Sequence, residues 1–406
     1  MLSFLQNTLF AILPWLAVLT VVVVVHELGH FLMARAFGVA IDRFSIGFGK
    51  TLLSVRDKRG TEWRLAALPF GGYVKFAGDA DASSSVPDAD DLADLRRQIV
   101  AKQGPAAVKQ YFHFKPLWQR ALVVLAGPLA NFVLAVVVFT VLSMTAGELY
   151  IKPVIGAVVP GSPAARAGFQ PGDQIVRMNG YATDNFVAFQ EYVQFHGERP
   201  IAFVVLRAGQ PVHLTATPEL VAQADPVFGR PTRLGRLGVQ RLVGPGVVTI
   251  RKLDPPAALM HGVGRVYGTV AVTVRYVERM LTGRESGDQL GGPIRMVAIA
   301  KTVAQAGASS GHTLGDHVSG LLEGLTSLIA FISVSIGFMN LLPIPMLDGG
   351  HLMFYAYEAV ARRPLTARFQ AVSYRVGLAL VVGLMLFATW NDLQLPVLKI
   401  LGGHVS

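Results

Sequence analysis

Four stretches of this chain are apolar for long enough to cross roughly 30 Å of hydrocarbon: about residues 4–25, 117–146, 321–342 and 376–390. Lipid offers no partner to an unpaired backbone group, so a chain crosses a bilayer only as helices or as a closed barrel. Runs of this length read as helices. Composition agrees with that reading. Apolar residues are 52% of the 406 and charged residues only 15%, against roughly 25% charged in soluble domains. The expected fold is a multi-pass α-helical membrane protein with four transmembrane helices.

The first run has no basic segment before it and no small-x-small cleavage site after it, so it is expected to remain as a span. Net charge is +10. The basic residues gather in short segments beside the apolar runs, as orientation in a bilayer requires. Arg35, Arg43, Lys50, Arg56, Lys58, Arg59 and Arg64 lie between the first two spans, and Arg362, Arg363, Arg368 and Arg375 between the last two. Both loops are expected on the cytoplasmic side, with the N-terminus, the long middle region and the C-terminus opposite. No basic stripe with interleaved aromatics is present, so no nucleic-acid partner is expected. Cysteine is absent, which leaves His, Asp and Glu to hold any transition metal.

Between the first two spans, "EWRLAALPFGGYVKFAGD" alternates around Gly71-Gly72 and reads as a membrane-associated β-hairpin. The acidic "DADASSSVPDADDLADLRRQ" after it is expected to be a mobile cytoplasmic segment. Residues 148–320 form a soluble region. Its "IGAVVPGSPAARAGFQPGDQIVRMNG" has short strands punctuated by Pro-Gly turns. "IAFVVLRAGQPVHLTAT" reads as two strands joined at Ala208-Gly209. Residues 256–281 are amphipathic and could lie along the outer membrane surface.

The first apolar run ends in His26-Glu27-Leu28-Gly29-His30. On a helix, residues four apart share a face, so His26 and His30 can offer two imidazole nitrogens to one ion. Glu27 sits about 100° round the helix. This is the zinc-protease spacing, in which the glutamate takes a proton from water activated by the ion. The same residues could instead snorkel at the interface. Ionisable groups at the end of a span nevertheless cost several kcal/mol unless paired or ligated.

A catalytic zinc needs a third protein ligand and an open position. The third apolar run ends "MNLLPIPMLDGGH". Two prolines prevent a regular helix there and free backbone carbonyls, and irregular backbone at membrane depth belongs where it lines a water-filled site. Asp348 is the candidate third ligand. An exposed cytoplasmic turn is the alternative.

These motifs resemble the site-2 protease family of intramembrane zinc metalloproteases, and its bacterial RseP-like branch in particular. The residues that carry the resemblance are His26-Glu27-Leu28-Gly29-His30, Asn340-x-x-Pro343-x-Pro345-x-x-Asp348-Gly349, Ala126–Asn131 ("AGPLAN"), Gly71-Gly72-Tyr73-Val74-Lys75 and the PDZ-like "PGSPAARAGFQPGD". They cover nearly the whole chain in the family's order. The resemblance implies one Zn2+ per chain on His26, His30 and Asp348, with Glu27 as general base. Asn340 and the strand around Gly71, Gly72 and Tyr73 would bind substrate backbone. His351 would act outside the ligand set, and Gly127, Pro128 and Asn131 suit close helix packing. The resemblance also implies an inserted α+β PDZ domain that takes peptide or protein tails. It occurs once here, whereas some RseP-like relatives carry two. The domains would be 1–146 (membrane, first part), 147–220 (periplasmic PDZ), 221–318 (periplasmic linker with the amphipathic helix) and 319–406 (membrane, second part). Substrates would be single-pass membrane proteins, such as anti-sigma factors or remnant signal peptides. The chain would reside in the bacterial inner membrane, with its active site near the cytoplasmic face.

Two rival readings use the same residues. A membrane scaffold could keep a vestigial metal site, although such a site needs no base. A metal or solute transporter could bind cargo through His and Asp, although it does not explain the PDZ-like segment.

Overall fold

The computed structural model describes residues 2–79, 89–224, 231–244, 246–283, 287, 291–309 and 311–393. Helix α1 (Leu2–Ala36) leads into strands β1 (Ile41–Arg56) and β2 (Glu62–Phe76), helix α2 (Ala89–Gln103) and helix α3 (Leu117–Thr145). Next come β3 (Glu148–Ile151), β4 (Ile155–Val158), α4 (Pro163–Arg166), β5 (Gln174–Met178), β6 (Tyr181–Ala182) and α5 (Phe186–Phe195). They are followed by β7 (Ile201–Arg207), β8 (Gln210–Ala216), β9 (Glu219–Ala224), β10 (Pro231–Arg236), β11 (Val239–Arg241) and β12 (Val248–Arg251). Five further helices follow among the described residues: α6 (Pro255–Leu281), α7 (Pro293–Ala308), α8 (Leu314–Asn340), α9 (Asp348–Ala361) and α10 (Ala367–Asp392).

Among the described residues, four helical stretches are long and apolar enough to cross a membrane: Ile12–Ala36, Leu117–Thr145, Leu314–Asn340 and Arg368–Asp392. They overlap the four expected spans, but the first runs from residue 12 to 36, not 4 to 25, so His26, Glu27 and His30 lie inside it rather than at its end. Two compact units divide the chain. The first comprises Met1–Thr140, Leu259–Ala271 and Gly287–Ser406, and the second Val141–Ala258 and Val272–Ser286.

In the first unit, Phe31 of α1 meets Phe44 and Trp63 of the strands edge-on, with ring centroids 5.3 and 5.0 Å away. Such contacts add to the burial of large aromatic surface. Val18, Ala300 and Leu328 bring α1, α7 and α8 together. Ala135 and Phe139 of α3 pack on Ala330 and Val334 of α8. Helix α8 opens with a reciprocal cap, Thr313 accepting from the Asp316 N–H while the Asp316 carboxylate accepts from the Thr313 N–H. Such a cap satisfies donors that a helix N-terminus leaves open. Asp392, at the end of α10 and almost fully buried, accepts from the N–H groups of Gly292 and Arg295 and so caps α7.

Two sequence expectations are corrected here. The hairpin is present, but Gly71-Gly72 is not its turn. The turn lies at residues 57–61, where Asp57 accepts from the N–H groups of Arg59 and Thr61, and Gly60 has φ +89. An aspartate that bonds backbone two residues on makes a turn without disturbing the apolar alternation that follows. The second correction concerns the acidic stretch: residues 80–88 lie outside the described residues, but Ala89–Gln103 is helix α2. Ile99 of α2 is buried with Ala107 and Tyr111, so one apolar face suffices to dock a polar sequence. In the amphipathic helix α6, Val266 and Val270 pack against the α3–α8 cluster.

The pairing of β1 with β2 is wider than two strands. Arg43–Ile46 is flanked by Glu62–Leu65 on one side and Gly72–Lys75 on the other, while Thr51–Arg56 folds back on Glu62–Ala66. Four chain segments therefore lie abreast. The Gly72–Phe76 segment is at one edge.

In the second unit, β6-β5-β7-β8 form one antiparallel sheet, while β4 pairs with β11, β3 with β12 and β9 with β10. The turn at Ala208-Gly209 falls where the sequence places it, with both residues at positive φ, as a two-residue hairpin requires. Ile155, Ile175, Ile201 and Val205 are wholly buried in its core. Asn185 caps α5 by accepting from the Val187 N–H at 3.0 Å.

Asp173 is a buried charge in this core. Burial pushes its carboxyl up, but the Arg207 guanidinium, which grips both oxygens at 2.8 Å, and the Gln170 N–H outweigh burial and hold it below the usual carboxylate range. A carboxyl depressed by folding adds stability that is fully present above its unfolded value of about 4 and is lost as pH falls through its folded value. The protection of amides across β5 and β7 against hydrogen exchange, corrected for the intrinsic pH dependence of exchange, should therefore fall on acidification below about pH 4 in the full-length protein. Asp173→Asn should flatten that dependence. An unchanged pH profile in the variant would show that other groups govern it.

Candidate metal centre

Helix α1 presents His26 and His30 on one face, as their spacing requires. The Nε2 atoms of the two rings are 3.2 Å apart. Asp348 Oδ2 lies 3.1 Å from His26 Nε2 and 3.5 Å from His30 Nε2. Donors held about 2.0–2.1 Å from a tetrahedral ion are separated by roughly 3.3 Å. The three atoms thus have the mutual spacing of ligands around one ion. Asp348 Oδ2 is also buried with no hydrogen-bond partner. If both Nε2 lone pairs face a cation, neither imidazole can donate to that oxygen, and the cation is what satisfies it. Two imidazoles and one carboxylate suit Zn2+. His26, His30 and Asp348 are also the one group of His and acidic residues with metal-ligand spacing among the described residues.

The turn that delivers Asp348 is built for close approach. Helix α8 ends at Asn340, and Pro343 and Pro345 occupy the break before α9 begins with Asp348. Met346 in this turn has φ +92, a backbone conformation that a bulky residue rarely adopts. Any Cβ on Gly349 would lie 2.2 Å from the Leu342 carbonyl oxygen. Glycine is therefore the residue that fits directly after the ligand.

Glu27 lies against the sheet. The Val74 backbone N–H in the Gly72–Phe76 segment of β2 acts on its carboxylate. A Cβ on Gly72 would lie 3.6 Å from Glu27 Cγ. The structure thus brings together His26, Glu27, His30, Asp348 and the Gly71-Gly72 edge. Tyr73 alternates to the sheet's own contacts, accepting from Arg43 Nη1 at 3.3 Å and stacking on Phe48. Asn340 closes α8 and makes no hydrogen bond to the three ligands among the described residues. His351 stands outside the ligand group, with Nδ1 3.5 Å from the Tyr374 hydroxyl. An apolar cavity of about 510 Å³ is lined by residues that include Phe132, Val136, Val266, Tyr267, Phe338 and Leu342.

Helix α3 contributes more than the packing that its glycine suggested. His30 Nδ1 lies 2.9 Å from the Val123 carbonyl oxygen, and Asn131 reaches His26 Nδ1 at 3.4 Å. A Cβ on Gly127 would fall 2.3 Å from His30 Nε2. The available signal was Asn131 itself, a fully buried polar residue in an apolar span.

The model of peptidase family M50 matches residues 14–384. The chain is 48% identical to the metalloprotease MmpA of Caulobacter vibrioides over 396 residues, covering 97% of this chain and 98% of that protein. It is 42% identical over 385 residues to a protein of Mesorhizobium japonicum and 40% identical over 383 residues to one of Agrobacterium fabrum, both named as zinc metalloproteases. These matches cover 94% of this chain in each case, and 98% and 95% of the relatives. The chain belongs to peptidase family M50.

Proposed function

We propose that this member of peptidase family M50 is an intramembrane zinc endopeptidase that cuts single-pass membrane proteins in or near their spans. The observation that carries the reading is the trio of donor atoms 3.1–3.5 Å apart, with Glu27 against the sheet beside them. A divalent ion held by His26, His30 and Asp348 would supply a water of lowered pKa and polarise the scissile carbonyl. Glu27 takes the proton of the attacking water and returns it to the leaving amine.

A transmembrane helix hides its peptide bonds, so the substrate must be unwound at the site. The edge at Gly72–Phe76 supports a way of holding it. Alternate residues of a strand point their backbone groups to the same side, so Gly72, Val74 and Phe76 offer theirs on one side of the segment. An extended substrate can add there as a further strand. Leu52, Leu53, Val55 and Phe70 of the same sheet are more than half exposed, which supports its association with lipid. The apolar cavity between α3, α6 and α8 suits an apolar substrate side chain.

The second unit supports the PDZ reading. Ser162-Pro163-Ala164 turns into α4, where the Ala164 N–H donates to the Leu237 carbonyl, and β11 follows at Val239. Among the described residues β11 pairs only with β4, so its other side can take an extended peptide tail. With the positive residues at the ends of the spans, the reading places this unit in the periplasm and the active site near the cytoplasmic face of a bacterial inner membrane. Anti-sigma factors and remnant signal peptides are the substrate classes that fit.

The test is made on the full chain purified in detergent. Elemental analysis should find about one zinc per chain, and mass spectrometry of a cleaved single-span substrate should place the cut in or beside the span. A chain without tightly bound metal, or a cut confined to the soluble tail, would overturn the reading.

A further inference from the structure

Two histidines that share an ion must each aim Nε2 at it and carry the remaining ring proton on Nδ1. A partner that accepts that proton sets the tautomer and the ring orientation. Helix α3 faces both histidines with residues four apart along one stripe, Val123, Gly127 and Asn131. The Val123 carbonyl serves His30 at 2.9 Å. The Asn131 side chain stands against His26 Nδ1 at 3.4 Å. One support is backbone, which no substitution removes. The other is a side chain.

The amide of Asn131 decides how this works. Its Nδ2 is assigned to the His26 side, and Oδ1 is then buried with no hydrogen-bond partner. With His26 protonated on Nδ1, that arrangement sets donor against donor. It leaves three groups unsatisfied: the imidazole N–H, the amide nitrogen and Oδ1. The oxygen and nitrogen of a side-chain amide exchange places by a simple flip. Turned over, Oδ1 accepts the His26 Nδ1–H, and a single buried group, the amide NH2, remains unsatisfied. An unsatisfied buried polar group costs roughly 1–3 kcal/mol, so the turned amide is the arrangement a metal-bound His26 selects. The residue cannot drift from this role. It is fully buried, its backbone carbonyl accepts from Ser333 Oγ of α8 at 2.9 Å, and a Cβ on Gly337 would be 3.2 Å from its own Cβ.

We propose that Asn131 is a positioning residue, which acts through His26 by accepting its Nδ1–H so that Nε2 faces the metal. The inference rests on the metal centre proposed above. It is tested on the full-length protein by competing zinc against a chromophoric chelator and by recording the cobalt absorption spectrum. Asn131→Leu keeps the volume and removes the acceptor, and should weaken zinc 10–100-fold, the usual cost of losing such a partner, with an altered cobalt spectrum. Asn131→Asp keeps an oxygen in place and should restore both. In a His26→Ala background Asn131→Leu should cost nothing further, an outcome that loss of packing would not produce. An Asn131→Leu protein with wild-type zinc affinity and spectrum, or an equal loss with and without His26, overturns the role of Asn131 alone. A wild-type chain that binds neither metal overturns the metal centre itself. Should Asn131→Leu not fold, Asn131→Ala enters the same titration with the same two readings.

Discussion

Glu27→Gln should lower cleavage of a single-span substrate by roughly 10²–10⁴-fold, the range for loss of a general base, and leave the bound metal in place. The two halves of this result follow from different parts of the geometry. Glu27 is not among the three atoms with ligand spacing, so metal affinity does not depend on it. Glutamine has the same length and keeps an oxygen for the Val74 N–H to act on. What it loses is the capacity to accept a proton. Elemental analysis and initial rates on the same preparations check both halves. Metal lost together with activity would show that Glu27 helps build the site. Activity retained with metal bound would remove Glu27 as the base and favour a site that binds without catalysing.

The parts of this molecule that were legible in the sequence are those set by local spacing. Four apolar runs became helices because a bilayer permits little else. His26 and His30 share a face because a helix places residues four apart together. Asp348 was visible because prolines interrupt an apolar run, and an interruption at membrane depth needs a reason. The rest was hidden where the information is tertiary. The apolar alternation through Gly71-Gly72 continues smoothly, while the real turn is made by the Asp57 side chain, so pattern alone put the turn in the wrong place. Helix α2 was masked by its acidic composition, because a few apolar residues decide its docking. The support of His26 by Asn131 joins positions 105 residues apart, and no local spacing encodes that. The sequence did show the oddity of an amide in an apolar span, but it could not say which partner satisfied the amide.

Gly127→Ala should weaken the metal centre while leaving helix α3 intact. Alanine is the better helix former by about 1 kcal/mol, so the backbone of α3 gains from the change. The cost falls on the histidines. The added methyl would lie 2.3 Å from His30 Nε2, 2.4 Å from His30 Cε1 and 3.0 Å from His26 Cε1. Carbon contacts are favourable only near 3.5–4.0 Å, so the His30 ring must retreat by more than 1 Å. That ring is tethered by Nδ1 to the Val123 carbonyl of the same helix. It cannot retreat without breaking that hydrogen bond, and the alternative is for α1 and α3 to part. A Cβ on Gly29 of α1 would lie 2.3 Å from the Ala126 carbonyl oxygen, so parting the helices would also undo a close approach there. Either response moves Nε2 away from Asp348. Zinc affinity should fall on the order of 100-fold, as when a partner that orients a ligand is lost, and cleavage should fall with it. Gly383→Ala is the control, because open space surrounds that position on α10. Chelator competition on both variants separates a general effect of alanine in a span from a specific one at the site. Equal affinities would mean that the histidines have room to move, and α3 would then be a packing helix only. A loss confined to Gly127→Ala would make α3 the wall against which the two ligands are set.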